Sequence, residues 1–188
     1  MRISQICGVV SSRDRAAIPF DMGRSNCLVM DILCVVLIAL CRAQVDFYFN
    51  NYTETRDTTL AVKKVRYGGY ETNLHLALSL ARNSVFVAEN GARLSDPAVT
   101  KLIVVVTDNP SANKSATLRE SELVRSLGIG LVTIGVGTYL DRYELSAVAS
   151  FPYIKNMFVI NTVRNLSIFV DPVKRIICAG PSFSISFE

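Results

Sequence analysis

The chain has 188 residues, of which 50% are hydrophobic and 19% are charged, a composition that predicts a packed globular domain and argues against intrinsic disorder. The formal net charge is +4, and the lysines and arginines are scattered along the chain rather than clustered with interleaved aromatic residues. We therefore expect no nucleic-acid partner.

Residues 1–26 have no hydrophobic periodicity, and we predict that they are irregular. Residues 27–44 are the most apolar stretch, but their apolar run of about 14 residues is shorter than the roughly 20 that span a bilayer, so we expect no transmembrane span. Two interpretations of this stretch stay open. Residues 30–43 resemble a secretory signal with Ala43 before the cleavage point, and they equally fit a buried strand of a parallel sheet.

The first elements after this stretch are a strand and two helices. The sequence VDFYF predicts a strand over 45–49 near a sheet edge. A helix over 55–67 ends at a double glycine, and a second helix covers 73–90, with Asn90-Gly91 as its C-cap. The helical spacing of the second helix predicts a buried apolar stripe, formed by Leu76, Leu80 and Phe86 or Val87.

Strands and helices alternate through the rest of the chain. We predict strands over 101–106, 129–137 and 157–160, and helices over 115–128, 142–150 and 162–178, the last kinked or split at Pro172. This alternation with short connections predicts a doubly wound, mostly parallel α/β sheet flanked by helices. In such a fold the ligand site lies outside the carboxyl ends of the strands.

Two polar positions are predicted at this edge of the sheet. Asp108 follows the apolar strand of KLIVVVTDNPS, with Thr107 and Ser111 nearby in sequence. Thr72 follows the double glycine of GGYETNLHLAL. A hydroxyl and a carboxylate that converge are hard oxygen ligands suited to Mg²⁺, Mn²⁺ or Ca²⁺. The alternatives are that Thr72 is only a helix N-cap and that Asp108 caps the next helix or stabilises a turn.

The chain resembles a known family through four segments in order: VRYGGYETNLHLALSLAR, KLIVVVTDNPS, SLGIGLVTIGVG and ELSAVAS followed by MFVI. Together they resemble a von Willebrand factor type A domain, of the kind found in type VI collagen, matrilins and related matrix proteins. The resemblance extends from residue 35 or 45 to residue 178. It implies the fold predicted above and a metal-ion-dependent adhesion site, in which an acidic residue of a partner protein fills an open metal position.

The resemblance places Thr72 in the second loop of that site and Asp108 in the third. We predict that Ser111 contributes either by contacting these ligands or through a water molecule. The first loop, D-x-S-x-S, is missing, because Ser11-Ser12 lacks the leading acid. Leu74, His75 and Asn109 also depart from the family pattern. We therefore expect a degenerate site at which Mg²⁺ binds weakly or not at all.

The resemblance also bears on the ends of the domain. The family's first strand and first helix are not evident, so we expect a shortened or variant N-terminal part. Cys178 is placed where such domains often have a terminal cysteine, and Cys7 or Cys27 is its candidate partner. We divide the chain into an irregular segment over 1–43, a von Willebrand type A-like domain over 44–178 and a tail over 179–188.

Three sequons, at Asn51, Asn113 and Asn165, lie in predicted loops or at element edges, and they predict glycosylation of a secreted protein. The function that these observations predict is an extracellular module that binds a matrix or cell-surface protein and has no catalytic residues. The alternative is an α/β enzyme that binds a small ligand or nucleotide. A phosphate-binding loop is absent, and His75, the one histidine, has no nucleophile motif to serve.

Overall fold

The computed structural model describes residues 9–11, 32–38, 45–52, 56–57, 60–61, 72–97, 99–161, 168, 171–172 and 175. The labelled elements of these residues are, in chain order, β1 (Val9–Ser11), β2 (Ile32–Ile38), α1 (Leu74–Leu80), β3 (Thr100–Thr107), α2 (Lys114–Ser126), β4 (Gly130–Val136), α3 (Arg142–Val148), α4 (Tyr153–Asn156) and β5 (Met157–Ile160).

Within the described residues, five strands form one sheet in the order β1-β2-β3-β4-β5. Strands β2 to β5 are parallel, and β1 is antiparallel to β2. The register places Val36 opposite Val104 and Val104 opposite Val132, so three β-branched residues lie side by side across the middle of the sheet. The predicted fold class, a mostly parallel α/β sheet flanked by helices, is confirmed.

The two central strands are buried on both faces. In β3 all residues except Lys101 are buried, and in β4 every residue is buried. A continuous buried run of this kind, without polar alternation, is typical of a parallel strand covered on both sides. One face of the sheet packs against α1, α2 and α3 in a cluster that includes Leu74, Leu78, Ile103, Val105, Val124, Leu131 and Val148.

The helices after β3 and β4 begin at polar caps. The side-chain oxygen of Asn113 accepts a hydrogen bond from the Ala116 N–H at 3.0 Å and starts α2. Asp141 does the same for α3 with the Glu144 N–H at 3.0 Å. Past the end of α2, Gly128 takes a φ of 73°, which favours glycine. The predicted strands and helices between residues 101 and 160 are confirmed, to within a few residues at their ends.

The irregular structure predicted for residues 1–26 is wrong at Val9–Ser11, which form a strand, and Ile32–Ile38 form a second strand. The second of these lies inside the stretch for which a signal peptide and a buried strand were both considered, and it has the strand conformation. It pairs with β3 in parallel.

The strand predicted over 45–49 is also wrong. This segment is a loop that turns at Tyr48–Asn51, where the Tyr48 N–H donates to the Asn51 side-chain oxygen at 2.7 Å. Phe47 and Phe49 are buried as the alternation suggests, but they pack against aromatic rings rather than entering the sheet. The ring of Phe49 contacts that of Phe86 edge to face at a centroid distance of 5.3 Å.

The helix predicted over 73–90 is three shorter elements: α1, a π-helical turn over Ala81–Val85 and a 3₁₀ turn over Ala88–Asn90. In the π turn the Phe86 N–H donates to the Ala81 carbonyl at 2.9 Å. The Phe86 side chain that follows this turn is buried in the core. Gly91 ends the segment at a φ of 88°, as its predicted capping role requires.

The buried stripe predicted for this helix is wrong at two positions. Leu76 is 47% exposed and Leu80 only half-buried, as is Val87 beyond the helix, whereas Phe86 is buried. The buried side chains recur at intervals of three and four residues, which is the helical period, but from a different starting residue: Leu74, Ala77, Leu78 and Ala81.

Most of the two remaining predicted helices, over 55–67 and 162–178, lies outside the described residues. Positions 56, 57, 60 and 61 of the first, and 171, 172 and 175 of the second, are helical. No helix in the part of the chain that the structure describes is both long and apolar enough to cross a membrane.

Candidate functional site

Three loops meet at the edge of the sheet where β3 and β4 end: residues 72–73 before α1, residues 108–113 after β3, and residues 137–141 after β4. We call this the carboxyl edge. Because the parallel strands all run toward this edge, the loops that follow them and the first turns of α2 and α3 converge there.

Thr72 is buried beside the loop that follows β3. The backbone N–H of Ala112 donates to the Thr72 carbonyl at 2.8 Å, and this bond joins the first two loops. The N-cap position of α1 belongs to Asn73, so the interpretation of Thr72 as an N-cap is wrong. What holds Thr72 in place is its backbone carbonyl.

Asp108 lies half-buried in a tight turn directly after β3. The Thr107 hydroxyl donates to the Asn109 carbonyl at 2.8 Å and accepts from the Asn109 N–H at 3.3 Å. The Asn109 side-chain amide donates to Asp108 Oδ1 at 2.8 Å. Asp108 therefore belongs to the turn, and the residue that caps α2 is Asn113 instead.

Ser111 is buried and bonded to Glu144, a residue that the sequence interpretation missed. The Ser111 N–H donates to Glu144 Oε2 at 3.0 Å, and the Ser111 hydroxyl donates to Glu144 Oε1. Glu144 is only 4% exposed although it lies in the first turn of α3. The Ser111 hydroxyl therefore already donates its hydrogen bond to a partner within the protein.

The sequence carries one signal for Glu144. Asp141 and Glu144 have the spacing of a capping box, in which the acid three residues past the N-cap bonds back to the start of its own helix. Only half of that box forms, because Asp141 accepts from the Glu144 N–H while the Glu144 carboxylate turns to Ser111. The spacing alone could not have indicated this partner.

An ion pair between Lys114 and Asp141 joins the starts of α2 and α3. The hydrogen bond from Lys114 is the main cause that lowers the pKa of Asp141, followed by the bond from the Glu144 N–H. The same bond to Asp141 raises the pKa of Lys114. The Lys114 side chain is largely exposed, so the pair is screened by solvent and makes a modest contribution to stability.

Two tyrosines project from the carboxyl edge beside this ion pair. Tyr139 lies in the loop after β4 and is 75% exposed, and Tyr143 lies in the first turn of α3 and is 78% exposed. Both flank Asp141 in sequence. Tyrosine is enriched in protein interfaces because it combines a large apolar surface with a polar tip and few rotatable bonds.

The side chains predicted as metal ligands at the carboxyl edge are few. The predicted ligands supply one carboxylate and one hydroxyl, whereas Mg²⁺ takes six oxygen ligands in near-octahedral geometry. In the described ranges, no group of three or more His, Cys, Asp or Glu side chains is placed to hold a metal ion. Asp141 is paired with Lys114 and Glu144 with Ser111, so neither acid nearby is free to complete the set.

The predicted glycosylation sites differ in their surroundings. Asn51 is exposed at the turn of the 45–52 loop, and Asn113 is exposed at the start of α2. In both, the side-chain oxygen accepts a backbone hydrogen bond, from Tyr48 and Ala116 respectively. Asn165 lies outside the described residues.

The family model of the von Willebrand factor type A domain matches residues 39–171, which is more than half of the chain. The chain belongs to this family. Among its relatives, matrilin-3 of Gallus gallus is 24% identical over 137 residues, covering 73% of this chain and 30% of that protein. The von Willebrand factor A domain-containing protein 1 of Rattus norvegicus is 31% identical over 120 residues, covering 64% of this chain and 28% of that protein.

A solved structure with the same fold is that of proximal thread matrix protein 1 from the mussel byssus. It aligns with a TM-score of 0.65 and 21% identity, over 72% of this chain and 34% of that one. A second structure of the same mussel protein, described as having a zinc-occupied adhesion motif, aligns with a TM-score of 0.66 and 20% identity, over 72% of this chain and 33% of that one. The chain spans about a third or less of the length of these proteins.

Proposed function

We propose that this von Willebrand type A domain is an extracellular module that binds a matrix or cell-surface protein through its carboxyl edge. Family membership supports a binding role, and the matrilins among its relatives support the matrix as its location. The chain has no phosphate-binding loop and no nucleophile motif, which favours binding over catalysis.

The observation that carries this proposal is that the three loops are bonded to one another or to helix starts, and that two exposed tyrosines lie in the third loop and in the helix turn that follows it. Ala112 bonds to Thr72, Ser111 to Glu144 and Lys114 to Asp141, so each loop is joined to another loop or to a helix start. A surface held in this way loses little conformational freedom when a partner docks. The partner then gains contact area from Tyr139 and Tyr143.

We further propose that binding does not depend on a tightly held metal. The zinc named for the mussel protein suggests that the carboxyl edge of this fold can hold a divalent ion. In this chain Thr72 and Asp108 are the candidate ligands, and most of the remaining coordination would fall to water. An ion with two protein ligands is held weakly, so the protein surface itself has to supply the affinity.

The test uses matrix deposited by cultured fibroblasts and stripped of cells, to which purified chain is added at increasing concentration. We expect saturable binding, and we expect the double variant Tyr139→Ala/Tyr143→Ala to lose about tenfold in affinity. The matched control is Ile154→Ala, because Ile154 is 77% exposed but lies at the opposite edge. Its segment is placed there by the bond from Ser150 N–H to the carbonyl of Leu131, near the start of β4.

Three results would decide against the proposal. Binding that does not saturate would show that the matrix is not a specific partner. An unchanged affinity of the tyrosine variant would show that the partner does not bind at the carboxyl edge. A thermal-shift measurement with ATP and GTP tests the alternative that the chain is a nucleotide-binding enzyme. Stabilisation by a nucleotide would favour a ligand-binding enzyme over an adhesion module.

A further inference from the structure

Large apolar side chains are exposed at the edge of the sheet where β4 and β5 begin, opposite the carboxyl edge. We call this surface the amino-edge patch, and its members are Leu123, Leu127, Phe151, Tyr153 and Ile154. Phe151 is 68% exposed and Ile154 is 77% exposed. A cluster of exposed apolar side chains is unusual on a soluble monomer and commonly marks an interaction site.

The members of the patch are brought together by the contact between the ends of α2 and α3. Leu123 and Leu127 are four residues apart at the end of α2, so they lie on the same side of that helix. The Arg125 guanidinium donates to the carbonyls of Ala147 and Val148, which holds the end of α2 against the end of α3. The segment after α3, which carries the other three members, therefore adjoins the two leucines.

Buried hydrogen bonds hold that segment in place. The Ser150 N–H donates to the Leu131 carbonyl at 2.9 Å, and the Ser150 hydroxyl accepts from the Leu131 N–H at 2.9 Å. The buried side-chain amide of Asn156 donates to the Ser150 carbonyl at 2.8 Å. The segment is therefore fixed to the start of β4, and it loses little conformational freedom when its exposed side chains are covered.

Charges of opposite sign border the patch at its two ends. Glu122 directly precedes Leu123 in α2, Lys155 directly follows Ile154 in α4, and both charged residues are exposed. They lie far apart on the patch, because α4 leads into β5, which is beyond β4 in the strand order. In a two-fold contact each residue meets the partner of its own partner, so a patch with opposite charges at its ends is complementary to itself.

We propose that the amino-edge patch binds the same patch of a second copy of this chain in a two-fold dimer. The apolar side chains of the two copies cover one another, and Glu122 of each copy pairs with Lys155 of the other. At about 200 Å² for each large side chain, the exposed fractions amount to about 500 Å² of apolar surface per copy. A standard stable interface buries about 800 Å² per partner, so this dimer is weak and reversible.

The two carboxyl edges of such a dimer face in opposite directions, because the patch lies at the other end of the sheet. If the carboxyl edge binds matrix, the dimer joins two matrix partners. This consequence rests on the proposed function, whereas the dimer itself does not, so the two proposals can fail separately. At concentrations well below the Kd of the dimer the chain is monomeric, and a matrix titration in that range measures the carboxyl edge alone, with Ile154→Ala still a valid control.

The test is sedimentation velocity of the full chain from micromolar to submillimolar concentration, where we expect a reversible monomer–dimer equilibrium with a Kd on the order of 10–100 µM. Phe151→Ser/Ile154→Ser should weaken the dimer at least about tenfold, and Leu127→Ser, in the other segment, should weaken it as well. The matched control is Tyr139→Ser/Tyr143→Ser, which removes two similarly exposed side chains from the carboxyl edge and should leave the Kd unchanged. Circular dichroism checks that each variant is folded.

Charge reversal tests the two-fold arrangement. Glu122→Lys and Lys155→Glu should each weaken the dimer about tenfold, because like charges then meet at both ends, and the combined variant should regain the natural Kd. The single variants shift the net charge in opposite directions, so a loss common to both cannot come from net charge.

A chain that stays monomeric at every concentration overturns the proposal. So does a dimer held only by disulfide bonds, which a non-reducing gel detects because the chain has five cysteines. A dimer that is unaffected by the apolar variants, or charge reversals that the combined variant does not rescue, would overturn it equally.

Discussion

The carboxylate of Glu144 accepts hydrogen bonds from both donors of Ser111, its backbone N–H and its hydroxyl, across 33 residues of chain. This contact fixes the loop after β3 to the first turn of α3. Asp108 lies in the same loop, so the shape of the candidate binding surface depends on a buried acid that is not itself part of that surface.

Replacing Glu144 with alanine should destabilise the domain by about 1–3 kcal/mol, because the two buried donors of Ser111 lose their acceptor. The measurement is the free energy of unfolding in urea. Glu122→Ala is the matched control, since Glu122 is an exposed acid on α2 and should change the stability by less than about 0.5 kcal/mol. Equal effects of the two variants would show that the contact contributes nothing to stability.

The ion pair between Asp141 and Lys114 should make stability depend on acid pH. The folded state lowers the pKa of Asp141 below its ordinary value of 3.8, so the stabilisation is complete above 3.8 and is lost as the pH falls through the folded pKa. Asp141→Asn keeps a capping oxygen but removes the charge. We expect the variant to be less stable than the natural chain at neutral pH and the gap to close in strong acid, as followed by urea unfolding at a series of pH values.

A gap that stays constant across that series would contradict this account of Asp141. Lys114→Met serves as the second variant, because it removes the partner charge and leaves the cap of α3 in place. Its loss of stability at neutral pH should be smaller than that caused by Asp141→Ala, which removes the charge and the cap together, the cap alone being worth about 0.5–2 kcal/mol.

Arg125 connects α2 to the end of α3. Its Nη1 donates to the carbonyls of Ala147 at 3.2 Å and Val148 at 2.7 Å, and burial lowers the pKa of its guanidinium. Arg125→Met should cost about 1.5 kcal/mol, since the carbonyls at the end of α3 lose a charged donor. Thermal and urea unfolding measure the cost, and Arg119→Met, an exposed arginine on the same helix, should leave stability nearly unchanged.

Magnesium should stabilise the chain little. A site filled at 100 times its Kd would add about 2.7 kcal/mol to the free energy of unfolding, a shift that thermal unfolding detects easily. We expect a millimolar concentration of Mg²⁺ to give no more than the shift produced by sodium chloride of equal ionic strength, both in the natural chain and in Asp108→Ala. A clear stabilisation that Asp108→Ala abolishes would establish a working metal site and overturn our description of it as degenerate.

The sequence predicted the candidate site only in part. Thr72 and Ser111 could be assigned to the carboxyl edge because the strand and helix order brings their loops there, and the bond between Thr72 and Ala112 joins those loops. Glu144 could not be assigned, because its spacing from Asp141 is that of an ordinary capping box. The predicted roles of Thr72, Asp108 and Ser111 toward a metal stay predictions.

The sequence by itself determined the order β3, α2, β4, α3 and β5, though not α4, since β-branched runs, the Asn113 and Asp141 caps and Gly128 act over a few neighbouring residues. Only the tertiary structure decided which face of α1 is buried, why residues 45–49 stay outside the sheet and which partner Glu144 takes. Each of these outcomes depends on contacts between residues far apart in the chain, as between Phe49 and Phe86 or Ser111 and Glu144. Local sequence patterns cannot predict such contacts, because the packing of side chains and the pairing of buried polar groups depend on the whole fold.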